Sequence, residues 1–169
     1  TINTALQYAV SKNADVVNLS MGFIDVNASL YDYLDSTIDK AYNRGIPICC
    51  AAGNGEGGSK GVDVRYCYPA CYSKTIAVSA IDSSRQLANY SNRGSAIDFT
   101  APGSSIVSAY YKGNFATMSG TSMAAPHITA AIAYLKMMQS NLSVDGIYRE
   151  LKLYCRDLGS KGKDSYYGW

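Results

Sequence analysis

The residue pattern predicts an α/β protein of three layers, with a mainly parallel sheet between helices. Segments with helical spacing alternate along the chain with short strand candidates. Those strands are apolar throughout rather than at every second residue, as strands covered on both faces are. The longest helix candidate is apolar on nearly every side, which predicts that it is buried. At roughly 150 residues per domain, 169 residues make one domain.

The elements follow in order. Ile2, Ala5, Leu6, Ala9 and Val10 share one helix face, which the polar Lys12-Asn13 ends. Val16 to Leu19 reads as a short strand. A second helix runs from Leu30 through Tyr33, Leu34, Ile38, Ala41 and Tyr42, and Gly45 stops it as a residue able to take positive φ. Ile46 to Cys50 is an apolar run of strand length, broken by Gly53, and five glycines within residues 53–61 mark a loop. Thr75 to Ile81 is a strand rich in β-branched residues. Ile97 to Phe99 and Ile106 to Ala109 are weaker strands parted by a Pro102-Gly103 turn. The apolar helix spans about Ser122 to Ser140, a last helix spans Val144 to Tyr154, and residues 156–169 read as a polar tail.

Composition excludes several function classes. Hydrophobic residues are 47% and charged residues 17%, so a packed core is expected and disorder is not. Fifteen Lys and Arg against thirteen Asp and Glu leave a net charge of +2, unlike a nucleic-acid or polybasic membrane binder. No uncharged apolar run approaches the ~18 residues of a membrane span. The opening Thr-Ile-Asn lacks the basic start and apolar run of a secretory leader. Five cysteines are an odd number. Cys49 and Cys50 are adjacent in a strand and point to opposite faces. Cys67 and Cys71 could close a small loop or bind metal, but no second Cys/His pair completes a zinc site, and free thiols are the expectation.

Two local features could carry chemistry. In Met118-Ser119-Gly120-Thr121-Ser122-Met123-Ala124-Ala125-Pro126-His127, a glycine and two hydroxyls precede the alanine-rich helix. Ser122 then stands at a helix N-terminus, where free N–H groups and the positive end of the dipole favour a developing negative charge. The competing reading is that Thr121 or Ser122 is only an N-cap. Ala51-Ala52-Gly53-Asn54-Gly55 lies just past the carboxyl end of a strand, where parallel sheets place ligands. The Asn54 amide could donate to an oxyanion there, or Asn-Gly could simply be a turn.

Taken together, Gly-Thr-Ser-Met-Ala-Ala-Pro-His and the earlier Ala-Ala-Gly-Asn resemble the subtilisin-like serine proteases, the subtilases. Asn18-Leu19-Ser20-Met21-Gly22, Tyr68-Pro69 with the strand after it, Ser91 to Gly94 and Ala101-Pro102-Gly103 resemble further stations of that family in the same order. The resemblance implies a subtilisin-like fold and a serine endopeptidase that works through an acyl-enzyme. Ser122 would be the nucleophile, and the Asn54 amide with the Ser122 N–H would form the oxyanion hole. Ser20, Met21 and Gly22 would be a strand edge pairing with a polypeptide substrate. Met21 and Ala51, Ala52 and Gly53 would wall the specificity pocket, with Cys67 near its floor, and these apolar walls imply a hydrophobic or neutral side chain at the cleaved position. Asp63 is the nearest acid that could favour a basic one. No cofactor is implied, although calcium or sodium could bind carbonyls of Ala70, Tyr72 and Thr75 with Asp98, where a second family acid is replaced near Ala96.

The family places its Asp and His stations, Asp-[Ser/Thr]-Gly and His-Gly-Thr-His, before the serine, and neither occurs in these residues. The only histidine, His127, lies five residues after Ser122, ~140° around the helix and ~7.5 Å along it, and reads as a packed helix histidine rather than the base. The chain therefore resembles the later half to two-thirds of the catalytic domain, incomplete at the N-terminal side. Expectations follow: a single partial peptidase domain over 1–169, inactive by itself, that needs the missing N-terminal half and is open to self-association through exposed strand edges. The alternative function is a non-catalytic subtilase-fold pseudoprotease or peptide-binding regulatory module. An α/β-hydrolase esterase is disfavoured, because Ala124 stands where its motif needs glycine. By family analogy secretion is favoured, whereas unpaired cysteines fit a reducing interior.

Overall fold

The computed structural model describes residues 1–24, 32–55 and 60–169. Its helices are Ile2–Ser11 (α1), Asp32–Asn43 (α2), Thr121–Met138 (α3) and Val144–Tyr154 (α4). Its strands are Val17–Leu19 (β1), Phe23–Ile24 (β2), Ile48–Ala51 (β3), Cys67–Tyr68 (β4), Ile76–Ile81 (β5), Ile97–Pro102 (β6), Ile106–Ala109 (β7) and Phe115–Met118 (β8). Leu30 and part of the glycine-rich stretch lie outside the described residues. The central sheet is parallel, in the order β1-β3-β5-β6.

Helices cover both faces, and the strand pleat decides which side chains meet which layer. Ile48 and Cys50 pack with Leu6, Val10, Leu34, Ile38 and Ala41 of α1 and α2. Cys49 and Ala51, one residue out of step, pack with Ala124, Ala125 and Ile132 of α3 and Ile147 and Leu151 of α4. The adjacent cysteines thus face opposite layers, and all five thiols are free. Local signals start and stop the helices. The Thr1 hydroxyl accepts from Thr4 N at 3.2 Å, the Ser143 hydroxyl accepts from Gly146 N at 3.1 Å, and Gly45 turns the chain after α2 at φ +70°. Among the described residues, no helix is long and apolar enough to cross a membrane.

Two expectations are corrected. The helix α3 is not buried all round: Thr121, Ala124, Ala125 and Ile132 are buried, whereas Tyr134, Met137 and Met138 are 61%, 79% and 65% exposed. Its mean composition is apolar because it is rich in alanine, but only the line of residues facing the sheet and α4 is covered among the described residues. The last 14 residues are also not a loose tail. Asp164 and Gly168 exchange backbone hydrogen bonds at 2.9 and 3.1 Å, and Trp169 N donates to Asp98 O at 2.9 Å. Lys163 Nζ lies 2.9 Å from Asp98 Oδ1, and Trp169 Nε1 donates to Tyr148 Oη at 3.0 Å. These partners are distant in sequence, so no local periodicity announces them. The pair β2–β4 is likewise an antiparallel addition absent from the sequence reading, and the strand read at Ile106 to Ala109 pairs antiparallel with Phe115–Met118 rather than joining the main sheet.

The Asp164 carboxylate ties this segment together, accepting from the backbone N–H groups of Ser160 at 2.9 Å and of Tyr166 and Tyr167 at 2.8 Å each. Partial burial pushes its pKa up, but the three N–H donors outweigh it and the net shift is downward. A depressed carboxylate stabilises the fold above its unfolded pKa of ~3.9 and loses that contribution as pH falls through the folded value. Asp164→Asn is expected to destabilise the fold more at about pH 7 than in acid, where the carboxylate takes up its proton, measured as the difference between urea unfolding curves at the two pH values.

Candidate active site

Parallel pairing of β1 with β3, with Leu19 opposite Cys50, sets the carboxyl ends of the two strands side by side. The chain leaving β1 is Ser20-Met21-Gly22, and the chain leaving β3 is Ala52-Gly53-Asn54. The first turn of α3 arrives at the same place. Gly120 is the N-cap and makes no side-chain cap bond, so neither Thr121 nor Ser122 is spent as a cap. Ser122 Oγ donates to Ser20 O at 3.0 Å, while Ser20 Oγ donates to Ser122 O at 2.8 Å. This reciprocal pair staples the end of β1 to the start of α3.

Asn54 is oriented by the same helix end. Its Oδ1 accepts from Thr121 N at 2.8 Å and from Thr121 Oγ1 at 2.9 Å, and Thr121 Oγ1 accepts from Gly53 N at 3.0 Å. With Oδ1 held by a free N–H of the helix N-terminus, the amide's Nδ2 is left to donate elsewhere. A Cβ at Gly120, where φ is +156°, would come within 3.1 Å of that Nδ2, so the side-chain-free cap keeps the space beside the amide open. Asn54 and Ser122 line one cleft of about 430 Å³.

The other residues singled out from sequence are placed as follows. Met21, Gly22, Ala51, Gly53 and Cys67 line this cleft. Ser20 joins it through its bonds to Ser122. Ala52 does not line it; its side chain is fully buried in the core beneath α1 and α2. Phe23, Ile24, Gly55 and Thr121 also line the cleft and were missed. Phe23 and Ile24 form the two-residue strand β2, too short to show a period, and they pair with Tyr68 and Cys67. Burial pushes the Cys67 thiol up to about 11, against an opposing hydrogen bond from Asn92, so the thiol is neutral near pH 7. Asp63 is spoken for: its carboxylate accepts from Arg65 Nε at 2.8 Å and Arg65 N at 2.9 Å, and the guanidinium holds it below the usual carboxylate range. Apolar and small groups therefore dominate the walls.

His127 is exposed rather than packed. Its Nδ1 lies 2.8 Å from Met123 O, and its ring lines a different groove, beside Ile81, Pro102 and Trp169. As the sole histidine of these residues, it leaves the cleft without an imidazole base from this chain.

The donor set around Asp98 does not fit a calcium or sodium ion. Asp98 Oδ1 accepts from Tyr148 Oη and Lys163 Nζ, each at 2.9 Å, and Oδ2 accepts from Ala77 N at 2.9 Å. The Thr75 hydroxyl lies 2.9 Å from Tyr72 O and 3.0 Å from Pro69 O and donates its single proton between them. An ammonium already neutralises the carboxylate, and among the described residues no cluster of three His, Cys, Asp or Glu could hold a metal. Asp98, the acid expected from sequence as a metal ligand, is thus engaged by Tyr148, Lys163 and Ala77.

Comparison with known proteins gives the family and supports the fold. The sequence profile described as "Subtilase family" matches residues 1–169. The chain is 35% identical over 166 residues to Subtilisin DY of Bacillus licheniformis, covering 98% of this chain and 57% of that protein. It is 35% identical over 164 residues to the Minor extracellular protease Epr of Bacillus subtilis (strain 168), covering 97% of this chain and 24% of that protein. It therefore spans about a quarter to just over half of these relatives. A solved cold-adapted subtilisin-like serine proteinase superposes with a TM-score of 0.76 at 28% identity, over 88% of this chain and 51% of the other. With a serine on the first turn of a helix, an asparagine tethered to that helix end, and a family match over every residue, the chain belongs to the subtilase family.

Proposed function

We propose that these residues supply the nucleophile and the oxyanion donor of a serine endopeptidase. The observation that carries the reading is the capture of Asn54 Oδ1 by Thr121, which leaves an amide N–H for the cleft that Ser122 lines. Ser122 Oγ adds to the scissile carbonyl carbon, and its proton passes to a base supplied from outside residues 1–169. The carbonyl oxygen becomes an oxyanion held by Asn54 Nδ2 and the Ser122 N–H at the positive end of α3. Collapse expels the amine, which takes that proton, and water then releases the acyl group from Ser122. Met21, Ala51, Gly53 and Cys67 favour an apolar or neutral side chain before the cleaved bond, and the Met21-Gly22 segment along the cleft would pair with an extended peptide.

The base is also where the second reading enters. With His127 on another surface, the 169 residues alone are not a competent protease, and the Asp- and His-bearing segment is their expected partner. Without that segment, β1 stands at an edge of the four-stranded sheet, and an uncovered strand edge favours self-association. If no base is ever supplied, the fold serves as a pseudoprotease that binds peptides.

A fluorophosphonate distinguishes the two readings. Labelling of Ser122 is expected only when the Asp- and His-bearing segment is present, and Ser122→Ala abolishes it; an assembled enzyme that takes no label is the pseudoprotease. Asn54→Ala is expected to lower kcat by about 10²–10³-fold with little change in KM in steady-state peptide hydrolysis, a scale set by subtilisin itself rather than by this geometry. EDTA is expected to leave the region around Asp98 unaffected, whereas Lys163→Met leaves a carboxylate 13% exposed without its counter-charge, though still bonded to Tyr148 and Ala77, and lowers the thermal midpoint in calorimetry.

A further inference from the structure

Asn92 was not singled out by the sequence, yet it is the most heavily engaged polar side chain near the cleft. It is fully buried, with no exposed surface. Its Nδ2 donates to Ala52 O and to Cys67 Sγ, each at 2.9 Å. Its Oδ1 accepts from Gly55 N at 2.9 Å and Val62 N at 2.8 Å, and its backbone N–H donates to Gly53 O at 3.0 Å. Two donors and two acceptor sites are thus all in use. Residues 52, 53 and 55 bracket Asn54 on both sides, and Cys67 lies in the cleft wall opposite. Gly53, at φ +98°, has no room for a Cβ because Asn92 Nδ2 lies where that atom would go.

We infer that Asn92 is the positioning residue that holds the backbone of the oxyanion donor Asn54 in register with Cys67 in the specificity pocket. The inference rests on the protease reading above. Thr121 orients the Asn54 side chain and Asn92 fixes the backbone beneath it, so the amide is restrained at both ends. Asn92 does not line the cleft and touches no substrate; it acts through Asn54. Because an oxyanion donor must sit within a few tenths of an ångström of its target, a loosened backbone lowers transition-state stabilisation and leaves peptide binding nearly intact.

The test uses the enzyme complete with its Asp- and His-bearing segment, comparing wild type with Asn92→Ala, Asn92→Asp, Asn54→Ala and the Asn92→Ala/Asn54→Ala double variant. Asn92→Ala is expected to lower kcat by about ten- to a hundredfold with KM within about threefold. Affinity for a peptide aldehyde, whose adduct with Ser122 places an oxyanion in the hole, falls by a similar factor, whereas affinity for the corresponding peptide acid does not. In the Asn54→Ala background the same change costs less than about threefold, since the donor it positions is already gone. Asn92→Asp keeps acceptors for Gly55 and Val62 but loses the donors to Ala52 and Cys67; it carries the same comparison if the alanine variant does not fold. An active wild type in which Asn92 variants alter only KM or the melting temperature, or multiply fully with Asn54→Ala, overturns the inference. An inactive complete enzyme overturns it together with the protease reading.

Discussion

The site depends on one hydrogen bond, from the main-chain N–H of Thr121 to Asn54 Oδ1 at 2.8 Å. A helix N-terminus leaves its first N–H groups unsatisfied, and here an amide oxygen from another segment takes one of them. That bond does two things. It satisfies a buried donor, and it decides which end of the Asn54 amide can face the cleft. A free asparagine could turn either its oxygen or its nitrogen outward, and only the nitrogen can stabilise an oxyanion.

The parallel sheet makes that bond geometrically available. Adjacent strands running the same way end at the same edge, so the loops after β1 and β3 are neighbours although about thirty residues separate them in sequence. The helix α3 crosses the sheet and delivers its first turn to that edge, where Ser20 and Ser122 exchange hydrogen bonds. Buried polar groups then do what apolar packing cannot. Small residues such as Ala51, Gly53 and Gly120 fill the site closely but define no direction, whereas Thr121 and Asn92 impose one through satisfied hydrogen bonds. The same principle acts at the far side of the sheet, where Asp98 gathers Ala77, Tyr148 and Lys163 and closes the C-terminal segment onto the body.

Much of the fold was legible because it is written in local patterns. The strand β3 is a continuous apolar run and β5 is apolar apart from Ser79, and α1, α2 and α4 carry a helical stripe ended by caps or glycine. The pair Cys49 and Cys50 was readable from the pleat alone. Illegible features share a different property: their stabilising partners lie far along the chain. Residues 156–169 have no period, yet they are ordered by Asp98, Ser79 and Gly94. The two-residue strands β2 and β4 exist only because they pair with each other. Exposure of α3 was misjudged because composition reports how apolar a helix is, not how many layers cover it.

By itself, the sequence determined the fold class and the family and singled out Ser122 and Asn54 as candidates for the chemistry, since each follows from short-range pattern and motif. Tertiary structure alone decided that Ala52 faces the core, that Phe23 and Ile24 wall the cleft, that Asp98 pairs with Lys163, and that Asn92 clamps the loop bearing Asn54. The physical reason is that hydrogen-bond direction and burial depend on which distant segments meet, and a one-dimensional pattern records the propensity of each segment but not the meeting.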